Sequence, residues 1–533
     1  LAGRSPVFRG LLLILLAIGA YWDSIDNGFA YDDGAVVERN PVVQGREPLD
    51  RVFVRDYWGH AAERQVGAYR PVALFTLALD GRAGGGAALP FHVTNLVLHA
   101  LVVVAAYALF RRRAGEVSAF SAAALFAVLA GPSEAVFAIV GRADLLAALF
   151  LVLGLAAHSA PGGLATAAAV MCFALCLGSK ESGLVAPAVW LAMDAIVPVA
   201  SGRSRTRFDT ALRLTLYAAV VGVYLVGRTV ALGSAFATRI EPLRNPLVTA
   251  DATARLMGAG RIFFEHILFG LANPLARAYD CSAPACGPAG LGDPLAWSGL
   301  AIFACMVALA FWGARRAPTL AAGLAWFTLA FLPASNFAIV GPTAYAERLL
   351  YAPALGLCLA VGFGFAFLSK RVPRPWIAWS LFAALALGNA AAVRARSADW
   401  ESSLTLFLAD VELMPRGAVV QNNAAWAATQ TGDWAVAEEH ARNAVALAPE
   451  FVDAHATLAL LLARSGRESA ALTELEVASA YEPTVAFFLA RARILIGMVD
   501  LPGAQRAVEA GLGLDPDHPV LLEMKSQLGP PAR

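Results

Sequence analysis

Apolar residues fall in long blocks along the first three quarters of the chain, among them 96–110, 143–157, 211–227 and 297–312. Blocks of that length and frequency predict membrane helices. A shorter block at about 8–22 has Arg4 ahead of it and Arg9 at its start. Tyr21 and Trp22 stand where a leader would need small residues for cleavage, so a retained first helix is expected. The last apolar helix is expected at about 376–393, and a different periodicity takes over after it.

In that last quarter, Pro415, Pro449, Pro483 and Pro516 stand 34, 34 and 33 residues apart. Ala437, Ala471 and Ala504 keep the same steps, as do Ala444, Ala478 and Gly511, with Gly432 and Gly466 at the turns. A 34-residue period with small residues at fixed offsets and a closing proline is the tetratricopeptide signature. Small residues let two antiparallel helices pack closely, and proline ends the second. About three such repeats are near the minimum for a stable stack, and they offer a concave surface for a peptide or partner protein. The expected architecture is an all-α membrane protein with a transmembrane domain at 1–395, including a first extracytoplasmic loop at 23–89, followed by a repeat α-solenoid at 396–533.

Composition agrees with the pattern. The 533 residues are 58% hydrophobic and 15% charged, with a mean hydropathy of +0.61, where a soluble protein carries about a quarter charged residues. A net charge of +1 gives no reason to expect a nucleic-acid partner. Basic residues gather in short loops: Arg111–Arg113, Arg203 with Arg205 and Arg207, Arg315–Arg316, and Lys370–Arg371. Placing those loops on the cytoplasmic side predicts eleven crossings, with the N-terminus inside and the C-terminus outside. That count needs 256–274 to be a partial crossing, consistent with its Arg261, Glu265 and His266 and its end at Asn273-Pro274. Cys172, Cys176, Cys305 and Cys358 lie in apolar stretches, whereas Cys281 and Cys286 share a polar loop that would permit a disulfide in an oxidising compartment.

Within the expected membrane domain, the ionisable residues at helix ends away from the basic loops are Asp32 and Asp33, Arg70, His92, Glu134, Arg142 and Asp144, Lys180 and Glu181, and Glu347 and Arg348. On this topology they all lie toward the outer face. Such groups are costly near a bilayer unless paired or functional. Any one of them has a bland reading at even odds, as a snorkelling anchor or, for the aspartates, a turn or helix cap. As an ensemble of both signs they predict a polar site under the first loop. A carboxylate there takes a proton from an acceptor hydroxyl, and Arg and Lys hold a phosphate. Phosphate is a competent leaving group, so one protein carboxylate suffices. The reaction joining these parts is transfer of a sugar from a lipid phosphate to a hydroxyl in a single inverting displacement, with cations stabilising the departing charge.

The stretches "FAYDDGAVVERNPVV", "YRPVALFTLALD", "FHVTNLVLHAL", "EAVFAIVGRADLLAALF", "SKESG" and "ERLLYAPALG" occur in series ahead of the repeats. In that order they resemble the TMTC-type (transmembrane and tetratricopeptide-repeat) protein O-mannosyltransferases, of the GT-C class of membrane glycosyltransferases. The resemblance implies a GT-C-like multi-helix domain, a polyprenyl-phosphate sugar donor, and Ser or Thr hydroxyls of proteins as acceptors. It implies that Asp32-Asp33 is the catalytic motif. Asp32 is favoured as the base and Asp33 as the residue that places the acceptor or holds the loop, with the reverse order open. By charge and position, Arg142, Lys180, Arg348 and Arg70 are the candidates for the donor phosphate, with Glu134, Asp144, Glu181, Glu347 and His92 as supporting polar groups.

One stretch departs from the family. Where relatives often carry His-Pro-x-His, this chain reads "LAGPSEAV" at 129–136, which weakens mannose as the expected sugar. Adjacent carboxylates with Glu134 and Asp144 offer oxygen ligands to a divalent cation, but they form no tight cluster in sequence, and no metal or other cofactor is expected. Richness in Ala, Leu, Gly and Arg fits a GC-rich genome and favours a bacterial inner membrane with a periplasmic site and repeat domain, or a lumenal one in a eukaryote. Three other readings stand beside the transferase: the same fold glycosylating a lipid or cell-envelope glycan, a non-enzymatic repeat-bearing membrane scaffold, and a transporter or lipid flippase, against which the placing of the polar groups toward one face argues.

Overall fold

A computed structural model describes residues 5–60, 67–198, 206–236, 240–272 and 280–529. Arg4, Arg203, Arg205, Asn273 and Pro274 lie outside the described residues.

The chain is mostly helical. Helix α1 (Pro6–Tyr21) starts where the Ser5 hydroxyl accepts from the Phe8 amide and Pro6 fills the first turn. It is followed by α2 (Pro71–Gly84), α3 (Leu89–Ala114), α4 (Glu116–Val128), the short α5 (Glu134–Phe137), α6 (Arg142–Ser159), α7 (Gly163–Ser179), α8 (Ala186–Ile196) and α9 (Arg207–Leu232). Next come α10 (Ala252–Ile262) and α11 (Phe269–Ala272), then α12 (Pro294–Gly313), α13 (Pro318–Phe331), α14 (Tyr351–Ser369) and α15 (Pro375–Asp399).

Seven helical stretches among the described residues are long and apolar enough to cross a membrane: Pro6–Asp26, Leu89–Ala114, Ile139–Ser159, Phe208–Leu232, Pro294–Gly313, Glu347–Ser369 and Pro375–Asp399. The chain reads as a multi-pass membrane protein, and each of the four long apolar blocks lies inside one of these spans. Seven stands against the eleven crossings expected from charge. The shortfall comes from helices too short to span alone, among them 116–128, 163–179 and 318–334. The stretch expected to cross only partly is helical without a gap from α10 to α11, through a more widely wound π segment at Phe263–Leu268.

Helix direction sorts the ends of the bundle into two poles. Arg113, at the end of α3, bonds the Val197 carbonyl (2.7 Å) and Asp194 (2.8 Å), so α3 and α8 finish together. Arg213, near the start of α9, bonds the Ala160 carbonyl (2.9 Å) just past α6. The basic residues after α3, α12 and α14 all follow helices that run away from the aspartate pair. The 26 residues of α3 separate its two ends by about 39 Å. Close helix contacts set this bundle. A Cβ on Gly356 of α14 would lie 2.5 Å from the Gly323 carbonyl oxygen of α13, the small-residue packing that membrane helices use.

After the last long apolar helix comes α16 (Ser403–Leu413). Three helix pairs follow: α17 (Ala418–Thr431) with α18 (Trp434–Leu447), α19 (Val452–Arg464) with α20 (Glu468–Ala478), and α21 (Val485–Gly497) with α22 (Leu501–Leu514). Helix α23 (Pro519–Leu528) closes the array. The repeated alanines at 437, 471 and 504 are completely buried, and a Cβ on Gly511 would come within 2.8 Å of Leu521. Gly432 and Gly466 turn the first two pairs at φ of 81° and 73°, and Val499 takes that position in the third at 64°. A β-branched residue is strained there, at a cost of roughly 1–2 kcal/mol. Val499→Gly is therefore expected to stabilise the repeats by about 1 kcal/mol, read as a raised chemical-denaturation midpoint.

Between the two parts, β1 (Asp280–Cys281) pairs antiparallel with β2 (Tyr345–Ala346), and a Cys281–Cys286 disulfide closes the adjoining loop. The other four cysteines are free, and Cys176 and Cys358 among them are buried in the bundle.

Candidate active site

The chain leaving α1 folds back over the bundle and is fastened at each step. The Asn27 side chain donates to the Ser397 carbonyl (3.2 Å), the Gly28 amide to Glu401 (3.1 Å), and His92 Nε2 lies 3.2 Å from the Gly28 carbonyl oxygen. His92 thus grips the loop from α3.

The two aspartates then part company. Asp33 is 1% exposed. Its Oδ1 accepts from the Val140 amide (3.0 Å), and its Oδ2 from Ala30 (3.2 Å) and Ile139 (3.4 Å). Burial pushes its carboxyl up to about 7, against the pull of those amides and with a small push from Asp32. Asp33 therefore pins the loop to the turn before α6. Asp32 is half-buried and has no hydrogen bond or ion pair among the described residues.

From Val140 the contacts lead to the cations. Its carbonyl accepts from the Tyr57 hydroxyl (3.1 Å), and the Arg70 guanidinium lies 5.1 Å from the Tyr57 ring centre. Arg70 bonds Glu181 (3.0 Å), which also pairs with Arg228 at 3.6 Å. Beside Glu181, Lys180 Nζ reaches both Asp144 oxygens, at 2.6 and 2.7 Å. Burial pulls the Lys180 ammonium below its ordinary range, with Asp144 opposing and Arg70 and Arg348 adding to the pull. A cleft opens at this pair, lined by Asp144, Lys180, Ser182, Pro333, Leu349 and Pro353. Next to Leu349, Arg348 donates to Glu134 through its amide (2.8 Å) and through its guanidinium. Burial also pushes the Glu134 carboxyl up to about 7, against the attraction of Arg348.

Four cations, Arg70, Lys180, Arg228 and Arg348, thus meet three carboxylates, Glu134, Asp144 and Glu181. The surplus of positive charge suits an anionic ligand.

Two of the expected site residues are placed differently. Arg142 is fully buried. Its Nε donates to Asn95 (2.9 Å), one terminal nitrogen to the Phe91 carbonyl (2.8 Å), and the other pairs with Asp80 at 2.5 Å. With all three nitrogens committed, it ties α2, α3 and α6 together instead of facing the cleft. Glu347 is also fully buried and pairs with Arg396 at 3.8 Å. Sequence reasoning missed Tyr57, Asp80, Arg228 and Arg396. Asp80 closes the quoted "YRPVALFTLALD", which was a visible signal; the other three stood outside the charged packets.

No family model matches the chain. Over 84% of its length it is 28% identical to the protein O-mannosyl-transferase F38B6.6 of Caenorhabditis elegans. It is 25% identical over 84% of its length to protein O-mannosyl-transferase TMTC3 of Mus musculus, and 24% identical over 83% to TMTC3 of Homo sapiens. It spans 64%, 52% and 52% of those proteins, between half and two thirds of their length.

Proposed function

We propose that this chain, a relative of the TMTC-type protein O-mannosyltransferases, is a GT-C-like membrane glycosyltransferase. It moves one mannose or other hexose from a polyprenyl phosphate to a hydroxyl, that of Ser or Thr on exported proteins. Asp32 takes the hydroxyl proton as the acceptor oxygen bonds to the anomeric carbon. The bond from that carbon to the phosphate oxygen breaks, and the polyprenyl phosphate leaves with both electrons. A single displacement inverts the anomeric centre. Lys180, Arg348 and Arg70 hold the departing phosphate, joined by Arg228, while Arg142 has a structural task. Cationic donors fixed before the reaction act on developing charge without reorganising.

The observation that carries this reading is the division between the aspartates. One is nailed down by three amides, and its neighbour keeps a carboxylate with no partner among the described residues, in a loop that Asp33 and Tyr57 fasten to Val140 ahead of the helix that carries Asp144. The Cys281–Cys286 disulfide supports an extracytoplasmic site, because it joins the loop next to β2 and Arg348. Basic residues at the opposite pole agree with that orientation. On this reading the short helices complete an eleven-crossing bundle in a bacterial inner membrane, and the three helix pairs are tetratricopeptide repeats that hold the acceptor. The relatives named above are eukaryotic, for which the lumenal side would correspond.

The test is transfer in lipid nanodiscs, with mannosyl-labelled undecaprenyl or dolichyl phosphate and a Ser/Thr peptide. Labelled peptide that depends on Asp32 is expected. Equal signal from wild type and Asp32→Asn would overturn the reading, and label appearing on lipid or glycan with the peptide untouched would change the acceptor.

A further inference from the structure

The residue before Asp32 carries a backbone strain inside a turn that Ala30 and Asp33 close, the Asp33 amide donating to the Ala30 carbonyl (3.1 Å) and the Ala30 amide to the Asp33 carboxylate (3.2 Å). Tyr31 adopts φ of +51°, a left-handed conformation that costs a bulky residue roughly 1–2 kcal/mol and persists only where surroundings impose it. Tyr31's own amide and ring are held from the repeat part. The Tyr31 amide donates to Ser403 Oγ at 2.9 Å, and its ring meets the buried Phe407 edge-on at 5.2 Å. Both belong to α16. On its far side, the Tyr31 hydroxyl accepts from Arg244 (3.0 Å).

Helix α16 is itself locked to the donor side of the site. Buried Arg396, near the end of α15, bonds Asp410 of α16 (3.3 Å) and Asp399 (2.9 Å), and pairs with Glu347, the residue before Arg348. One guanidinium therefore joins the helix that shapes the Asp32 loop to the segment that carries Arg348.

We infer that α16 is a positioning element of the transfer site, with Ser403 and Phe407 as positioning residues that present Asp32, and Arg396 setting that loop against the Arg348 segment. The soluble part then does more than hold an acceptor, since its first helix shapes the loop that bears the base. This inference rests on the transferase reading for its consequence, though not for its geometry. An off-geometry base costs rate without changing donor affinity.

The test uses full-length protein in nanodiscs, with Ser403→Ala, Phe407→Ala and Ser403→Thr as a conservative control that keeps an acceptor oxygen. Hydrogen exchange in the peptide 27–34 is expected to quicken by about tenfold in both Ala variants and stay near wild type in the Thr variant. With a donor and a Ser/Thr peptide too short to fill the repeat groove, kcat is expected to fall by about tenfold at unchanged donor KM. Unchanged exchange in both Ala variants would overturn the positioning role. So would a rate loss confined to long acceptors, which would leave the repeats as an acceptor cradle alone. Exchange reads the clamp whether or not sugar moves, so an inactive wild type with quickened exchange in the variants would overturn the transferase reading and leave the clamp standing.

Discussion

Asp32→Asn is expected to lower kcat by about 10²–10⁴-fold, the range over which a positioned general base contributes, while leaving thermal unfolding where it was. The separation of activity from stability follows from the absence of any bond from the Asp32 carboxylate to a described residue. Asparagine there removes the proton acceptor and disturbs no contact. Asp33→Asn should do the reverse. An amide has one acceptor oxygen, so its NH2 would face either Val140 or the Ala30–Ile139 pair. Orphaning buried donors costs about 1–3 kcal/mol, visible as a lower unfolding temperature before any effect on chemistry. The pH dependence separates the two further. The Asp33 carboxyl rises from 3.8 to about 7 on folding, so the folded chain binds that proton more tightly than the unfolded one. Its contribution to stability is full below pH about 4 and is lost as pH rises toward 7. Asp33→Asn should flatten the stability profile across that window, and Asp32→Asn should not. Loss of turnover from Asp33→Asn alone, with Asp32→Asn active, would exchange the two roles.

Much of the bundle was legible because membrane helices announce themselves by composition. The blocks at 96–110 and 297–312 lie inside single long helices, and the proline spacing returned as three helix pairs with the repeated alanines at their buried contacts. The crossing count was less legible. Helices such as α4, with 13 residues, are apolar like spanning ones, yet too short to cross alone. Charge and order along the chain grouped Lys180, Asp144, Glu134, Arg348, Arg70 and Glu181, which pair with one another in space because each lies at a helix end near the same pole. They could not tell a facing cation from a buried tie. Arg142 is separated from Asp80 by 62 positions in sequence and is bonded to it in space. The α16 contact with Tyr31 spans 372 residues. Nothing local in "SSLTLF" marks Ser403 or Phe407 as neighbours of the aspartate loop.

Arg142→Met is the substitution expected to damage the fold most. A buried guanidinium with three committed nitrogens leaves behind an Asp80 carboxylate without its cation, an unpaired Asn95 oxygen and a Phe91 carbonyl with one bond fewer. Removing one partner of such a pair costs about 3–5 kcal/mol, because the other charge remains without compensation. Arg142→Lys should rescue little, since an ammonium cannot reproduce the planar fork that reaches two helices and an acid at once. The double variant Arg142→Met with Asp80→Asn should recover part of the loss, because the uncompensated carboxylate goes with its partner. Thermal unfolding of the detergent-solubilised variants reads all three. Were Arg142 a donor-phosphate ligand, Arg142→Met would unfold near the wild-type temperature with a raised donor KM, and the Asp80 change would worsen the outcome. The same geometry argues against a double role. A phosphate drawing Arg142 toward the cleft would have to break its bonds to α3 and strand Asp80, a larger loss than one more cation beside Lys180 and Arg348 would return.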